Sequence, residues 1–194
     1  MYKITERFIN INVELTPQDC LIHFCGGFYY VMKEIKLTSQ GKNKNRYVAL
    51  VDDEDFEALN QFNWCAHKIH NIFYAVRTIR VDGKRTTQYM HWEVLNGKRI
   101  DHIDHDGLNN QKNNLRFCTR SENGMNRRKN ENCTSIYKGV YFHKRAKKWQ
   151  AYIAINGKCI FLGYFISEAE AAQAYNTKAI ELFCEFANLN VIDK

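Results

Sequence analysis

The stretch IDHIDHDGLNNQKNNLRFCTRSEN, residues 100–123, decides how this sequence is interpreted. It contains three Asp, two His and five Asn, with one Gly and no Pro. A long surface loop would use Asn and Asp for its turns. A metal site would use carboxylate and amide oxygens around a hard cation, with a histidine nearby as a base. The rest of the chain has to distinguish these two alternatives.

The composition indicates a folded protein without a membrane segment. The 194 residues are 45% hydrophobic, and this length allows one ordinary domain or two small ones. No apolar run approaches the roughly 20 residues that span a bilayer, and the first residues lack the apolar core of a signal peptide. The seven cysteines are scattered and never spaced C-x-x-C, which argues against a zinc site and favours reduced thiols in a cytoplasm.

The positive charge is concentrated in one part of the sequence. The chain has a formal charge of +7, and the segment from Arg116 to Lys158 holds 11 basic residues and two acidic ones. A basic block in an otherwise near-neutral chain is typical of a protein that binds a polyanion. A solvated face would carry the same charges, so the block alone leaves both interpretations open.

Four segments are predicted from changes in pattern. The predicted segments are an N-terminal extension, an α+β region, a polar linker and a second α+β region: residues 1–31, 32–129, 130–136 and 137–190. Met32 is an alternative start of the chain. The core of the first α+β region spans about 97–129 and contains the opening stretch.

Residues 46–99 predict a strand, a short helix and a hairpin. The run RYVALV is strand-like, and Asp52 or Asp53 can cap the helix that follows it. Two β-rich runs, IFYAVRTIRV and KRTTQYMHWEV, flank Asp82-Gly83. Asp-Gly between such runs is the favoured signal for a two-residue hairpin turn.

The last segment predicts three strands and a helix. The runs YKGVYFHK, KWQAYIAI and KCIFLGYF are strand-like, and Asn156-Gly157 joins the second to the third. Ser167 and Glu170 form a capping box at the start of an alanine-rich helix. One face of the middle strand carries Trp149, Ala151, Ile153 and Ile155.

The opening stretch predicts a strand, an Asn-rich loop, a second strand and a helix. At the end of the first strand, Asp101 and His102 can both reach one site. A helix crossing behind the hairpin can bring Asn123 towards Asp101, and one carboxylate, one amide and open positions suit magnesium. His102 would then activate water, and the side-chain amide of Asn114 would pin the loop and the imidazole ring.

These segments resemble two known families. The opening stretch is similar to the HNH (ββα-metal) nuclease motif in the variant found in phage and mobile-element homing endonucleases. The segment from YKGVYFHK to CEFANLN resembles the AP2 DNA-binding domain. Together with the preceding VALVDDEDFEALNQFNWCAHK, they resemble bacterial and phage HNH endonucleases with a C-terminal AP2 domain, over about residues 32–190.

The resemblance implies an α+β fold and a metal site. The implied fold is a small N-terminal α+β region leading into a ββα-metal unit, then a three-stranded antiparallel sheet packed on one helix. Asp101 and Asn123 match the metal ligands, for Mg²⁺ or Mn²⁺. His102 matches the general base, Asn114 the asparagine that supports the loop, and His91 a histidine that precedes the motif.

The AP2 resemblance implies that the sheet lies in the major groove of double-stranded DNA. Together with the basic block, it predicts the following DNA-contacting residues: Arg116, Arg120, Arg127, Arg128, Lys138, Tyr141, His143, Arg145, Lys147, Lys148, Gln150 and Tyr152.

The sequence therefore predicts a metal-dependent, site-directed DNA endonuclease. We expect a homing or mobile-element nuclease, acting as a monomer on DNA in the cytoplasm of a bacterial or phage-infected cell. One alternative is a DNA-binding transcriptional regulator whose nuclease site is inactive. Another is a sequence-tolerant nuclease that uses the AP2-like segment only for phosphate affinity.

Overall fold

The computed structural model describes residues 19–25, 28–38, 46–129 and 133–192. The chain divides into two compact units between Phe117 and Cys118. This division falls inside the segment predicted as the ββα core, and not at the linker predicted over 130–136. Within that linker, residues 130–132 lie outside the described part of the chain.

The first unit begins with a three-stranded antiparallel sheet and a helix. Its strands are β1 (Asp19–Cys25), β2 (Phe28–Leu37) and β3 (Tyr47–Asp52), in the order β1-β2-β3. Helix α1 (Asp53–Asn60) follows β3 directly, as predicted. The boundary predicted at Met32 falls within β2, and whether translation starts there stays a prediction.

The Asp52 side chain does not cap α1, although Asp52 occupies the N-cap position. Its carboxylate instead accepts hydrogen bonds from the backbone of Lys112, at 2.7 Å, and from the side chain of Gln111, at 3.3 Å. The loop at residues 111–112 therefore competes with the first turn of α1 for the Asp52 carboxylate. Capping rules consider only residues close in sequence, so they do not predict this contact. Asp52 therefore ties the Asn-rich loop to the first sheet.

A second antiparallel sheet contains β4 (Cys65–Ile69), β5 (Ile72–Val81) and β6 (Lys84–Tyr89). The turn between β5 and β6 has positive φ at Asp82 and Gly83, 49° and 74°, which confirms the predicted hairpin. The prediction of a strand through KRTTQYMHWEV was wrong from Met90 onwards, where α2 (Met90–Val94) begins. Met90 and His91 are both buried, and strand alternation would expose one of two neighbours.

The first unit ends with a short two-stranded ladder. Strands β7 (Ile100–His102) and β8 (Leu115–Phe117) pair antiparallel, and a 3₁₀ turn, Lys112–Asn114, leads into β8. The predicted order of strand, Asn-rich loop and strand is confirmed. The main apolar core of the unit lies elsewhere, among Ile35, Leu37, Trp64 and Met90.

The second unit begins with α3 (Arg120–Met125), which a capping box of Thr119 and Glu122 starts. The sequence TRSENGMNRRK has a helical pattern throughout, but α3 covers only Arg120–Met125, because Gly124 and Asn126 have low helix propensity. The sheet that follows has the order β9-β10-β11 and contains β9 (Val140–His143), β10 (Lys148–Ile155) and β11 (Lys158–Phe165).

Helix α4 (Glu168–Phe183) begins with the predicted capping box of Ser167 and Glu170. One face of β10 packs on it, with Ala151 beside Ala171 and Ala172, and Ile153 beside Tyr175 and Ala179. Within the segment predicted as a linker, Thr134 accepts a hydrogen bond from the backbone of Phe142, and Ser135 donates one to the carboxylate of Glu168. Within the described residues, no helix is long and apolar enough to cross a membrane.

Candidate active site

His102 lies at the end of β7 with its imidazole buried among other rings. The ring centroids of Tyr74 and His91 are 5.8 Å and 4.7 Å from that of His102. Nε2 of His102 is 3.5 Å from the side-chain oxygen of Asn110. These neighbours hold the ring in one orientation, which a proton acceptor in catalysis requires.

The pKa of His102 is lowered, and burial is the main cause because it disfavours the charged imidazolium. The contact with Asn110 and the carboxylates of Asp104, Asp101 and Asp106 act in the opposite direction but do not cancel the effect of burial. His102 is therefore neutral at neutral pH and able to accept a proton.

His91, on α2, is brought against the ring of His102. It is 95% buried, and its Nδ1 has no hydrogen-bond partner in the described part of the chain. Burial, and then the proximity of His102, lowers the pKa of His91 to about 3. Two neutral imidazoles thus share one buried pocket, and the rings of His91 and His102 are in direct contact.

Asp101 faces Arg116 across the β7–β8 ladder, where the two residues are partners in register. The guanidinium donates to Oδ2 of Asp101 from Nε, at 3.2 Å, and from Nη2, at 2.9 Å. Both side chains are largely buried, with 8% of Asp101 and 12% of Arg116 exposed. Arg116, predicted to contact DNA, is in this structure the ion-pair partner of the predicted metal ligand.

Asn114 pins the Asn-rich loop. Its side-chain oxygen accepts a hydrogen bond from the backbone of Asp104, at 3.0 Å. Its amide group donates to the carboxylate of Asp104 and to the backbone oxygen of Asn109, both at 2.9 Å. The buried side chain of Asn114 therefore closes the loop next to His102.

Asn110 is a residue of the site that was not predicted from the sequence. It is fully buried, its backbone amide donates to Leu50 at 2.8 Å, and its side chain points at His102. Five asparagines occur in the stretch, and nothing local separates Asn110 from the others. Only the tertiary fold, which brings β3 to this loop, identifies it.

The predicted metal ligands lie in different units. Asp101 is on β7 of the first unit, and Asn123 is exposed on α3 of the second. Their meeting at one ion stays a prediction. A buried carboxylate oxygen suits a hard cation that keeps most of its waters, so Asp101 fits Mg²⁺ or Mn²⁺. The described residues contain no cluster of three or more His, Cys, Asp or Glu that could hold a metal.

The remaining predicted DNA contacts all lie in the second unit. One group of these residues is exposed around α3 or in the β9–β10 turn, and the others are on strands β9 and β10. The full set is Arg120, Arg127, Arg128, Tyr141, His143, Arg145, Lys147, Lys148, Gln150 and Tyr152. Lys138 differs, because it is partly buried and its Nζ donates to the backbone oxygen of Met125 at 2.7 Å. Burial, with a smaller effect of Arg127, lowers its pKa to about 8.

Part of the site lies in a span of sequence that matches a known family. Residues 90–125 match the HNH endonuclease family. The matched span contains His91, Asp101, His102, Asn114 and Asn123. The chain therefore carries an HNH endonuclease domain, which indicates a nuclease.

Two curated proteins are similar to this chain. An uncharacterized HNH endonuclease of Acanthamoeba polyphaga mimivirus is 27% identical over 167 residues, which cover 86% of this chain and 86% of that protein. Protein 3.8 of Escherichia phage T7 is 35% identical over 72 residues, which cover 34% of this chain and 60% of that protein. No solved structure matches the chain.

Proposed function

We propose that this protein is a site-directed DNA endonuclease that hydrolyses phosphodiester bonds with a divalent metal. The observation that carries the proposal is the buried imidazole of His102 next to Asp101 in the chain, inside a span that matches the HNH family. The order of strand, loop, strand and helix around these residues supports the same function.

In this proposal His102 accepts the proton of the attacking water. Asn110, His91 and Tyr74 hold its ring, and Asn114 keeps the loop closed around it. Loss of a general base of this kind typically costs about 10²–10⁴-fold in rate. The enclosing rings also exclude bulk water from the imidazole, which keeps it uncharged before the reaction.

Asp101 and Asn123 would hold Mg²⁺ or Mn²⁺. When bound, the metal supplies positive charge that stabilises the leaving oxygen. Arg116 fixes the orientation of the Asp101 carboxylate through two hydrogen bonds to one oxygen.

The second unit would deliver the nuclease to double-stranded DNA through its AP2-like sheet. The basic residues of the β9–β10 turn and the start of β10 support this role, because Lys144, Arg145, Lys147 and Lys148 lie close together in the chain and are exposed. We further propose a homing or mobile-element nuclease that acts as a monomer in the cytoplasm of a bacterial or phage-infected cell.

One observation favours a second candidate, a DNA-binding regulator with an inactive nuclease site. The positive charge of Arg116 already balances the carboxylate that a metal would use. A purified full-length protein distinguishes the two candidates when it is incubated with phage and bacterial genomic DNA, with magnesium or with a chelator. A nuclease produces magnesium-dependent 5′-phosphate ends at recurring sites, which sequencing of the ends detects. Intact DNA in both samples would support the regulator.

A further inference from the structure

The outer face of the β9-β10-β11 sheet is covered by a continuous row of aromatic rings. From one edge strand to the other, ring centroids are 6.2 Å apart for Tyr141 and Tyr152, and 5.1 Å apart for Tyr152 and Phe161. Phe161 lies 5.1 Å from Tyr164, which lies 5.6 Å from His143. We call these five side chains the aromatic face.

The aromatic face is not part of the core. The opposite face of β10, with Ala151 and Ile153, is the one that packs on α4. Tyr141, Phe161 and Tyr164 are 41%, 47% and 48% exposed. A contiguous apolar surface of this kind on a folded unit marks a binding site, because isolated exposed rings are common but rows of them are not.

The charges around the aromatic face are of one sign. No acidic residue occurs in the sequence from Val140 to Phe165. The turn at one end of the face holds Lys144, Arg145 and Lys147 and is followed by Lys148, and the turn at the other end is followed by Lys158. None of these five forms an ion pair within the described part of the chain. The partner that complements rings flanked by cations is a polyanion with flat apolar groups.

The aromatic face presents ring surfaces beside a small number of side-chain polar groups. Reading a duplex requires side-chain donors and acceptors that reach base edges in a groove. Gln150 and Tyr152 supply such groups on this face, and the hydroxyl of Tyr152 donates to the side-chain oxygen of Gln150 at 3.4 Å. The larger part of the face is ring surface, on which unpaired bases stack.

We propose that the aromatic face binds unpaired DNA bases by stacking, with their phosphates held by the cationic turns at its two ends. This inference rests on DNA being the substrate of the proposed nuclease. It adds that the enzyme engages DNA where bases are unpaired, at melted, nicked or branched positions.

The test measures binding of the full chain, in a chelator, to four probes of one mixed sequence. The probes are a DNA single strand, the complete duplex, the duplex with a central unpaired bubble, and an RNA single strand. We expect the DNA strand and the bubble to bind more tightly than the complete duplex. Tighter binding to the complete duplex would overturn the inference, and so would a clear preference for the RNA strand.

Variants assign the preference to the rings. Phe161→Ala with Tyr164→Ala should weaken single-strand binding by about tenfold or more for each ring removed. Phe161→Tyr with Tyr164→Phe keeps both rings and should bind as the unaltered protein does. Ile180→Ala with Val191→Ala is the matched control, since it removes two exposed apolar side chains away from the sheet. Unchanged thermal unfolding shows that each variant is folded.

Two further measurements separate the outcomes. Full single-strand binding by the Phe161→Ala/Tyr164→Ala variant would overturn the inference. The inference would also be overturned if the unaltered protein is a dimer, the variant is a monomer, and both bind DNA equally well, because the rings would then form a dimer interface. Magnesium-dependent cleavage by the unaltered protein is assayed in parallel. Cleavage without a single-strand preference contradicts this inference alone, whereas a single-strand preference without cleavage contradicts the proposed nuclease alone.

Discussion

Arg116 directs both its Nε and its Nη2 at a single oxygen of Asp101, in a largely buried ion pair. The pair links the two strands that carry the candidate site, since Asp101 is on β7 and Arg116 on β8. Removing one partner of a buried pair leaves the other charge without compensation. The pair is therefore a structural requirement of the site as well as part of its chemistry.

Arg116→Met should lower the free energy of unfolding of the first unit by about 3 kcal/mol, because it leaves the Asp101 carboxylate buried without its counter-charge. Chemical denaturation followed by circular dichroism measures the change. Arg120→Met is the control, since Arg120 is exposed at the start of α3. Equal stability of the two variants would contradict the importance of the pair.

Asn114→Ala should destabilise the protein by about 1–3 kcal/mol and reduce cleavage. Three hydrogen bonds to Asp104 and Asn109 are lost, and each typically contributes about 1 kcal/mol. Asn113→Ala, at the exposed neighbouring position, should change neither property. If the two variants unfold and cleave alike, Asn114 does not close the loop.

The local rules predicted elements whose signals lie within a few residues. Asp82-Gly83 and Asn156-Gly157 both form turns with positive φ, and Ser167 with Glu170 starts α4. In each case the partners are adjacent in the chain, so backbone preference and hydrogen bonding decide the conformation before tertiary contacts form.

The parts that the sequence could not predict depend on contacts distant in the chain. The side chain of Asp52 accepts hydrogen bonds from residues 111 and 112 and does not cap α1. Asn110 lies against His102 because its backbone hydrogen-bonds to β3. Likewise, the sequence predicts Arg116 as a DNA contact, because it belongs to the basic block. Only the β7–β8 register places it opposite Asp101.

Gly139→Ala should strongly destabilise the second unit. Gly139 has a φ of +75°, and an added Cβ would collide with the ring of Tyr175 and lie 2.6 Å from the backbone oxygen of Tyr152. Gly157→Ala is the matched control, because its φ of +74° imposes the same strain with open space around the position. Thermal unfolding should therefore show a much larger loss for Gly139→Ala, and equal losses would rule out the close packing.

Lys138 should make stability depend on pH. Its pKa is about 8 in the folded protein against 10.5 as the ordinary value, so the unfolded chain binds more protons between these values. Stability should therefore rise with pH from about 8 to 10, while below pH 8 the cost of the buried charge is constant. Lys138→Met should remove this rise, and Lys148→Met, at an exposed position, should keep it. Denaturation at several pH values provides the measurement, and an unchanged rise in Lys138→Met would contradict the assignment.

The most direct test of the nuclease is His102→Ala, assayed on genomic DNA with magnesium beside the unaltered protein and His105→Ala. His105 lies three residues away in the same loop and has no assigned role. His102→Ala should lose about 10²–10⁴-fold of the cleavage rate while its DNA affinity stays nearly constant, and His105→Ala should cleave normally. Near-normal cleavage by His102→Ala would contradict the account, because a base other than His102 would then activate the water.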